Sequence, residues 1–132
     1  MDARLKTVVH RFGIHQGELQ EEPLGIAVVE EAVGSRRHRG SLYVLVEIRG
    51  GFAEPERVIQ DLAHAIRQAY YKATGSITGG ISTALKAAND LLFEENLDAP
   101  REQRGIAGVS CAVLRDSDLY LGQVGPAVAY LS

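Results

Sequence analysis

The sequence contains one cysteine, Cys111, and it lacks both a long apolar run and an excess of basic residues. A single cysteine cannot form an internal disulfide, which is typical of a reducing compartment, so we expect a cytoplasmic protein. No apolar run approaches the ~20 residues of a membrane-spanning helix, so we expect no membrane association. Lys and Arg total 14 against 17 Asp and Glu, a net charge of −3. This mildly acidic balance argues against nucleic-acid binding, which depends on basic patches.

The composition that is present is ordinary for a folded protein. Hydrophobic residues make up 45% and charged residues 23% of 132 residues. A chain of this length can bury one core without metals or disulfides. We therefore expect a single domain over residues 1–132.

Alternating and β-branched patterns predict three strands in the first part of the chain, over residues 5–15, 24–33 and 40–48. The polar stretch 16–23 is interpreted as a loop. In the third strand Leu42, Val44 and Val46 share one face, while the other face is also largely apolar. Such a pattern is typical of a strand that is covered on both sides.

Two helices are predicted next, over residues 55–73 and 79–96, because apolar residues recur at three-to-four spacing. Pro55 lies where a first helical turn tolerates proline. We expect Leu62, Ile66, Leu85 and Leu92 to be nearly fully buried together with the apolar face of the third strand.

The pattern returns to strands at residues 107–114, 119–124 and 127–131, with a turn at 115–118. Strands grouped apart from helices favour an α+β fold. We expect a largely antiparallel β-sheet with two α-helices packed on one face.

Several short motifs carry a resemblance to a known family. Residues 43–51 read Tyr-Val-Leu-Val-Glu-Ile-Arg-Gly-Gly, and 119–131 contain Leu-Tyr-Leu-Gly-Gln-Val-Gly-Pro-Ala-Val-Ala-Tyr-Leu. Residues 108–113 and the Ala88-Asn89 pair fall in the matching order. Over about residues 24–131 the chain resembles the N-terminal half of the PPM (type 2C) metal-dependent protein phosphatases. The resemblance implies half of a phosphatase-type αββα sandwich.

That family holds two divalent metals between acidic side chains, and a metal-activated water attacks the phosphate. The resemblance places Glu31 and Glu47 where the family has metal-binding aspartates, so these are the candidate metal ligands, with Mg or Mn as the cofactor if the protein is active. The added methylene of glutamate shifts the carboxylate, which near-octahedral Mg²⁺ tolerates poorly. The alternative is that both are strand-end carboxylates in water.

Other positions of the family motif are changed. Ile26 replaces the arginine that grips phosphate, Ile48 replaces a glycine, and Pro126 replaces an aspartate. The sequence therefore predicts no catalytic residue and no phosphate-binding residue, and it favours a protein without a cofactor.

Three further features have mainly structural interpretations. Residues 36–39, Arg-Arg-His-Arg, are interpreted as a solvated hairpin tip, with contact to an acidic partner as the alternative. Cys111 is expected to be an inert buried thiol. Residues 75–80 lack the Lys-Ser/Thr ending of a phosphate loop and are interpreted as a turn between the helices.

These observations leave three hypotheses. The chain is a catalytically degenerate phosphatase-fold domain that acts as a binding or regulatory module, an active Mg- or Mn-dependent protein serine/threonine phosphatase, or a self-associating scaffold. Because the helices cover only one face of an apolar sheet, we expect a protein partner or a homodimer.

Overall fold

The computed structural model describes residues 8–21, 26–29, 38–126 and 129–131. In chain order the elements are β1 (Gly13–His15), β2 (Glu18–Gln20), β3 (Ile26–Val29), β4 (Ser41–Gly50), α1 (Pro55–Lys72), α2 (Ile77–Asp98), a 3-10 turn (Arg101–Gln103), β5 (Gly105–Arg115) and β6 (Asp118–Val124). No helix among these residues is long and apolar enough to span a membrane.

The first two strands form a small antiparallel hairpin, in which Ile14 faces Leu19. Gln16 and Gly17 connect them with φ of 51° and 80°, the positive values that a tight type I′ turn requires. The predicted strand over 5–15 is therefore wrong for residues 8–12, and the predicted loop 16–23 contains β2; residues 5–7 and 22–23 lie outside the described ranges. The ladder between β1 and β2 ends at Gly13↔Gln20, so residues 8–12 have no paired strand in the described part of the chain.

The main sheet has four strands in the order β3-β4-β5-β6, and every neighbouring pair is antiparallel. The long pairing of β4 with β5 runs from Ser41↔Leu114 to Gly50↔Gly105. Of the strand predicted over 24–33, residues 26–29 form β3 and the remainder lies outside the described part of the chain.

A last strand over 127–131 was also expected from the pattern. Residues 127–128 lie outside the described ranges, and 129–131 form no strand. Gly125 has a positive φ of 70°, and Pro126 has no N–H to donate to a ladder, which explains why β6 ends at Val124.

Local sequence explains both helices. Pro55 begins α1, Glu56 lies in its first turn and Lys72 in its last, each where the helix dipole favours that residue. The Ser76 hydroxyl caps α2 by accepting a hydrogen bond from the Gly79 N–H at 3.0 Å. At the far end of α2, the Asn96 side chain bonds both backbone groups of Gly105 and so fixes the start of β5.

The core lies between the sheet and the two helices. It contains, among others, Leu42, Val44 and Val46 of β4, Val109, Cys111 and Val113 of β5, Val58, Leu62, Ile66 and Tyr70 of α1, and Ile77, Ile81, Ala84 and Ala88 of α2. The α+β class, with an antiparallel sheet and helices on one face, is confirmed. The predicted burial of Leu42, Val44, Val46, Leu62 and Ile66 is confirmed as well, at 3% exposure or less.

The burial expected of Leu85 and Leu92 is wrong, since both are only half-buried. The helix crosses the sheet above Gly122 of β6, where a Cβ would lie 2.4 Å from Ile81 Cγ2. Leu85 lines a groove between α2 and β6, which is an end strand of the described sheet. Leu92 lines a second groove against the start of β5, so neither side chain is fully covered.

Candidate functional site

The structure describes one of the two candidate metal ligands. Glu47 is exposed on β4, on the side of the sheet away from the helices, and its cross-strand neighbour is Gly108. Glu31 lies outside the described residues. The structure therefore places one carboxylate of the predicted pair, and the metal site that the pair would form stays a prediction.

Among the described residues, Glu47 does not belong to a donor set of the kind that the metal implied by the resemblance needs. Mg²⁺ takes about six oxygen ligands in octahedral geometry. Gly108 offers no side chain beside Glu47, and the described ranges contain no group of three or more His, Cys, Asp or Glu placed to hold a metal ion. We derive no chemical step through a metal from these residues.

The side of the sheet away from the helices carries a set of apolar residues, the outer face: Tyr43, Leu45, Ala112, Leu114, Leu119 and Leu121. Coverage of this face changes from strand to strand. Residues of β4 and β5 are half-buried, whereas Leu119 and Leu121 of β6 are 47% and 51% exposed. The free apolar surface of the outer face is therefore concentrated on β6.

Two hydroxyl groups of the outer face, those of Tyr43 and Ser110, are shielded from solvent and have no hydrogen-bond partner among the described residues. A buried, unpaired hydroxyl costs about 1–3 kcal/mol. Solvent therefore does not reach these two hydroxyl groups in the middle of the outer face, whereas it does reach the leucines of β6.

Two grooves follow β6 on its helix side. The first has a volume of about 510 Å³ between α2 and β6 and includes Leu85, Lys86 and Gly122. The second, of about 330 Å³, has Leu62, Leu92 and Ile106 among its walls. Both contain Asn89 and Val124, so they form a continuous trough along the end of the sheet. Its apolar walls suit burial of another apolar surface.

Only part of the basic cluster at 36–39 can be placed. Arg36 and Arg37 lie outside the described residues and His38 is exposed, but Arg39 is 3% exposed. For Arg39 the interpretation as a solvated turn is therefore wrong. Its guanidinium lies over the Tyr70 ring at 4.9 Å and donates to the Gly75 carbonyl at 2.8 Å, so the flat cation packs like an aromatic group.

The hydrogen bond from the Tyr70 hydroxyl to the Arg39 carbonyl completes this contact. Burial raises the pKa of the Tyr70 phenol, and the neighbouring Arg39 charge acts in the opposite direction. Tyr70 remains a neutral donor at neutral pH and ties the residue before β4 to α1.

The buried state of Cys111 is confirmed, at 2% exposure. Burial raises the pKa of its thiol to about 11. Since the thiolate is the reactive form, this cysteine is unsuited to nucleophilic catalysis.

Comparisons with known proteins add no relative. No protein-family model matches the chain, and neither a curated protein nor a solved structure matches it. The geometry of the described residues therefore carries the functional argument.

Proposed function

We propose that this chain is a catalytically degenerate domain with a phosphatase-like fold, which acts as a binding or regulatory module through β6. The observation that carries the proposal is the apolar surface of β6, with its exposed leucines on one side and the trough on the other. Extended apolar surfaces on soluble proteins mark interaction sites. Enzyme chemistry has no comparable support in the described residues.

A second copy of the chain is the proposed partner. As an end strand of the described sheet, β6 has one edge without a neighbouring strand, and free edges pair readily with other strands. If two β6 strands pair antiparallel about Leu121, each Tyr120 lies opposite Gly122 of the other copy, a large side chain against none. The same pairing brings the outer-face leucines of both copies together, as a two-fold interface requires.

The first experiment is sedimentation equilibrium of the wild type at micromolar concentration. We expect a dimer that Leu121→Glu converts to a monomer, because the charge would lie in the paired apolar surface. The matched control is Leu97→Glu, since Leu97 is 65% exposed on α2 and about 24 Å along the helix from Ile81. A monomeric wild type, or equal loss of dimer in both variants, would contradict the proposed partner.

The second experiment separates this proposal from an active Mg- or Mn-dependent phosphatase. We expect no hydrolysis of a small aryl phosphate above blank with millimolar Mn²⁺, and no rise in melting temperature. A metal at 100 times its dissociation constant would stabilise the fold by about 2.7 kcal/mol. A clear rise that disappears in Glu47→Ala would favour the enzyme.

A further inference from the structure

The start of α2 combines two positive features that have no negative partner among the described residues. The first is the Arg39 guanidinium. Its Nε and Nη2 groups are buried without acceptors, and no described carboxylate forms an ion pair with it. A buried cation without a counter-ion is costly.

The second feature is the N-terminus of α2 itself. Backbone N–H groups at a helix start point outward and carry about half a positive charge in sum. The N–H groups of Ile77 and Thr78 have no acceptor in the described part of the chain, and the first turn contains no acidic residue. The usual compensation by Asp or Glu is missing here.

These two features lie against each other. Arg39 Nη1 bonds the carbonyl of Gly75, the residue before the Ser76 cap, and a Cβ on Gly80 would lie 2.1 Å from Nη2. The guanidinium is thus wedged under the first turn of α2, from Gly75 to Gly80. Its charge adds directly to that of the helix end.

The backbone at this turn is also open to a ligand. Ser76, Thr78 and Gly79 are exposed, and the side-chain position of Gly75 has no atom within 4 Å. A tetrahedral oxyanion can therefore approach the outward N–H groups closely. The hydroxyl of Thr78 lies 3.4 Å from that of Ser76, a long contact, and a ligand oxygen can replace that partner as the acceptor.

We propose that the turn from Gly75 to Gly79 is a binding site for a phosphate group, either free phosphate or a small phosphate monoester. The N–H groups of Ile77 and Thr78 and the Thr78 hydroxyl donate to the phosphate oxygens. Arg39 contributes its charge from beneath the turn. The site is one of binding and not of hydrolysis, and it lies at the opposite end of β4 from Glu47, about 25 Å away at ~3.3 Å per residue.

The test is a titration with inorganic phosphate, followed by the ¹H–¹⁵N shifts of Ile77 and Gly79, against potassium chloride at equal ionic strength. We expect saturable shifts with phosphate alone. In Thr78→Glu a carboxylate occupies the helix end, and we expect binding to weaken by about tenfold or more. Ser82→Glu adds the same charge one turn later and should keep the wild-type affinity within about twofold.

Arg39→Met retains the apolar stem without the charge and should also weaken binding; if this variant fails to fold, Thr78→Glu still decides the question. Parallel titration with phosphoserine distinguishes the source, since tighter binding than that of phosphate indicates a monoester ligand. Absence of saturable shifts, or equal affinity in Thr78→Glu and the wild type, would overturn the proposal. The site is independent of the β6 interface, so a monomeric protein leaves it unaffected.

Discussion

The helix-facing side of β4 and β5 and the surface of β6 contain the same kinds of residue in very different surroundings. Val44 and Val113 are 2% and 0% exposed, whereas Leu119 and Leu121, one or two strands away, are 47% and 51% exposed. All four are aliphatic residues in antiparallel strands of one sheet. What differs is the element above them, since the helices cover the first pair and no described element covers the second.

This contrast separates two uses of apolar surface. Burial against α1 and α2 stabilises the monomer at roughly 25 cal/mol per Å² removed from water. The leucines of β6 contribute little of that energy in the monomer. Their contribution becomes available when a second surface covers them.

The largest expected effect compares a leucine of the core with one of β6. Leu62 is fully buried, so Leu62→Ala should lower the free energy of unfolding by about 2–5 kcal/mol. Leu121→Ala, in protein dilute enough to be monomeric, should change it by about 0.5 kcal/mol or less. Urea unfolding of both variants and the wild type measures the difference, and equal losses would mean that β6 belongs to the core.

Much of the fold could be predicted from the sequence because helical and β periodicities are local. The helices predicted over 55–73 and 79–96 are found at Pro55–Lys72 and Ile77–Asp98, and the strand predicted over 40–48 at Ser41–Gly50. The N-terminal strand was predicted too long because an alternating pattern does not show whether a partner strand lies alongside, and β2 pairs only with Gly13–His15. The predicted burial of Leu85 was wrong because periodicity shows which residues face the sheet but not where the sheet ends.

The candidate site was less predictable for the same reason. Arg39 lies in a basic cluster that is typical of a solvated turn, and only the long-range contact with Tyr70 and Gly75 buries it. The sequence contained only a weak signal for the burial of Arg39, namely the small residues at 75–80, which leave space for a neighbouring side chain. For Glu47, exposure agrees with a strand-end carboxylate, and a metal role remains a prediction.

The next effect is the pH dependence of the free energy of unfolding, which tests how completely the helices exclude solvent from the sheet. Burial raises the pKa of Cys111 from 9.0 to about 11, so the unfolded chain loses this proton first as pH rises. The contribution of the buried thiol is complete below pH 9 and is lost between pH 9 and 11, about 2–3 kcal/mol in all. Unfolding free energies of the wild type and Cys111→Ala across this range measure it.

Cys111→Ala should lack that part of the pH slope, because other titrating groups are common to both proteins. As a control, a thiol reagent at pH 8 should label the native wild type far more slowly than the unfolded chain. Rapid labelling of the native protein would show that solvent reaches the helix side of the sheet. The proposed difference between that side and the surface of β6 would then be wrong.

A smaller effect is expected where the two regions meet. A Cβ on Gly122 would lie 2.4 Å from Ile81 Cγ2 and 3.3 Å from Leu85 Cδ1. Gly122→Ala should therefore destabilise the fold by about 1–3 kcal/mol, since α2 must shift away from β6. Gln123→Ala, at the exposed neighbouring position, is the control, and thermal melting of both variants gives the comparison. No difference between the two would mean that α2 does not rest on β6.

Amide hydrogen exchange at increasing protein concentration tests the central claim, that β6 is the surface through which two copies associate. Exchange reports the opening of individual backbone hydrogen bonds. We predict that the N–H groups of residues 118–124 that point away from β5 become more protected as concentration rises, while those of residues 42–45 in β4, which already pair on both sides, do not change. Exchange in β6 that is independent of concentration, in a sample whose core is protected, would contradict the account.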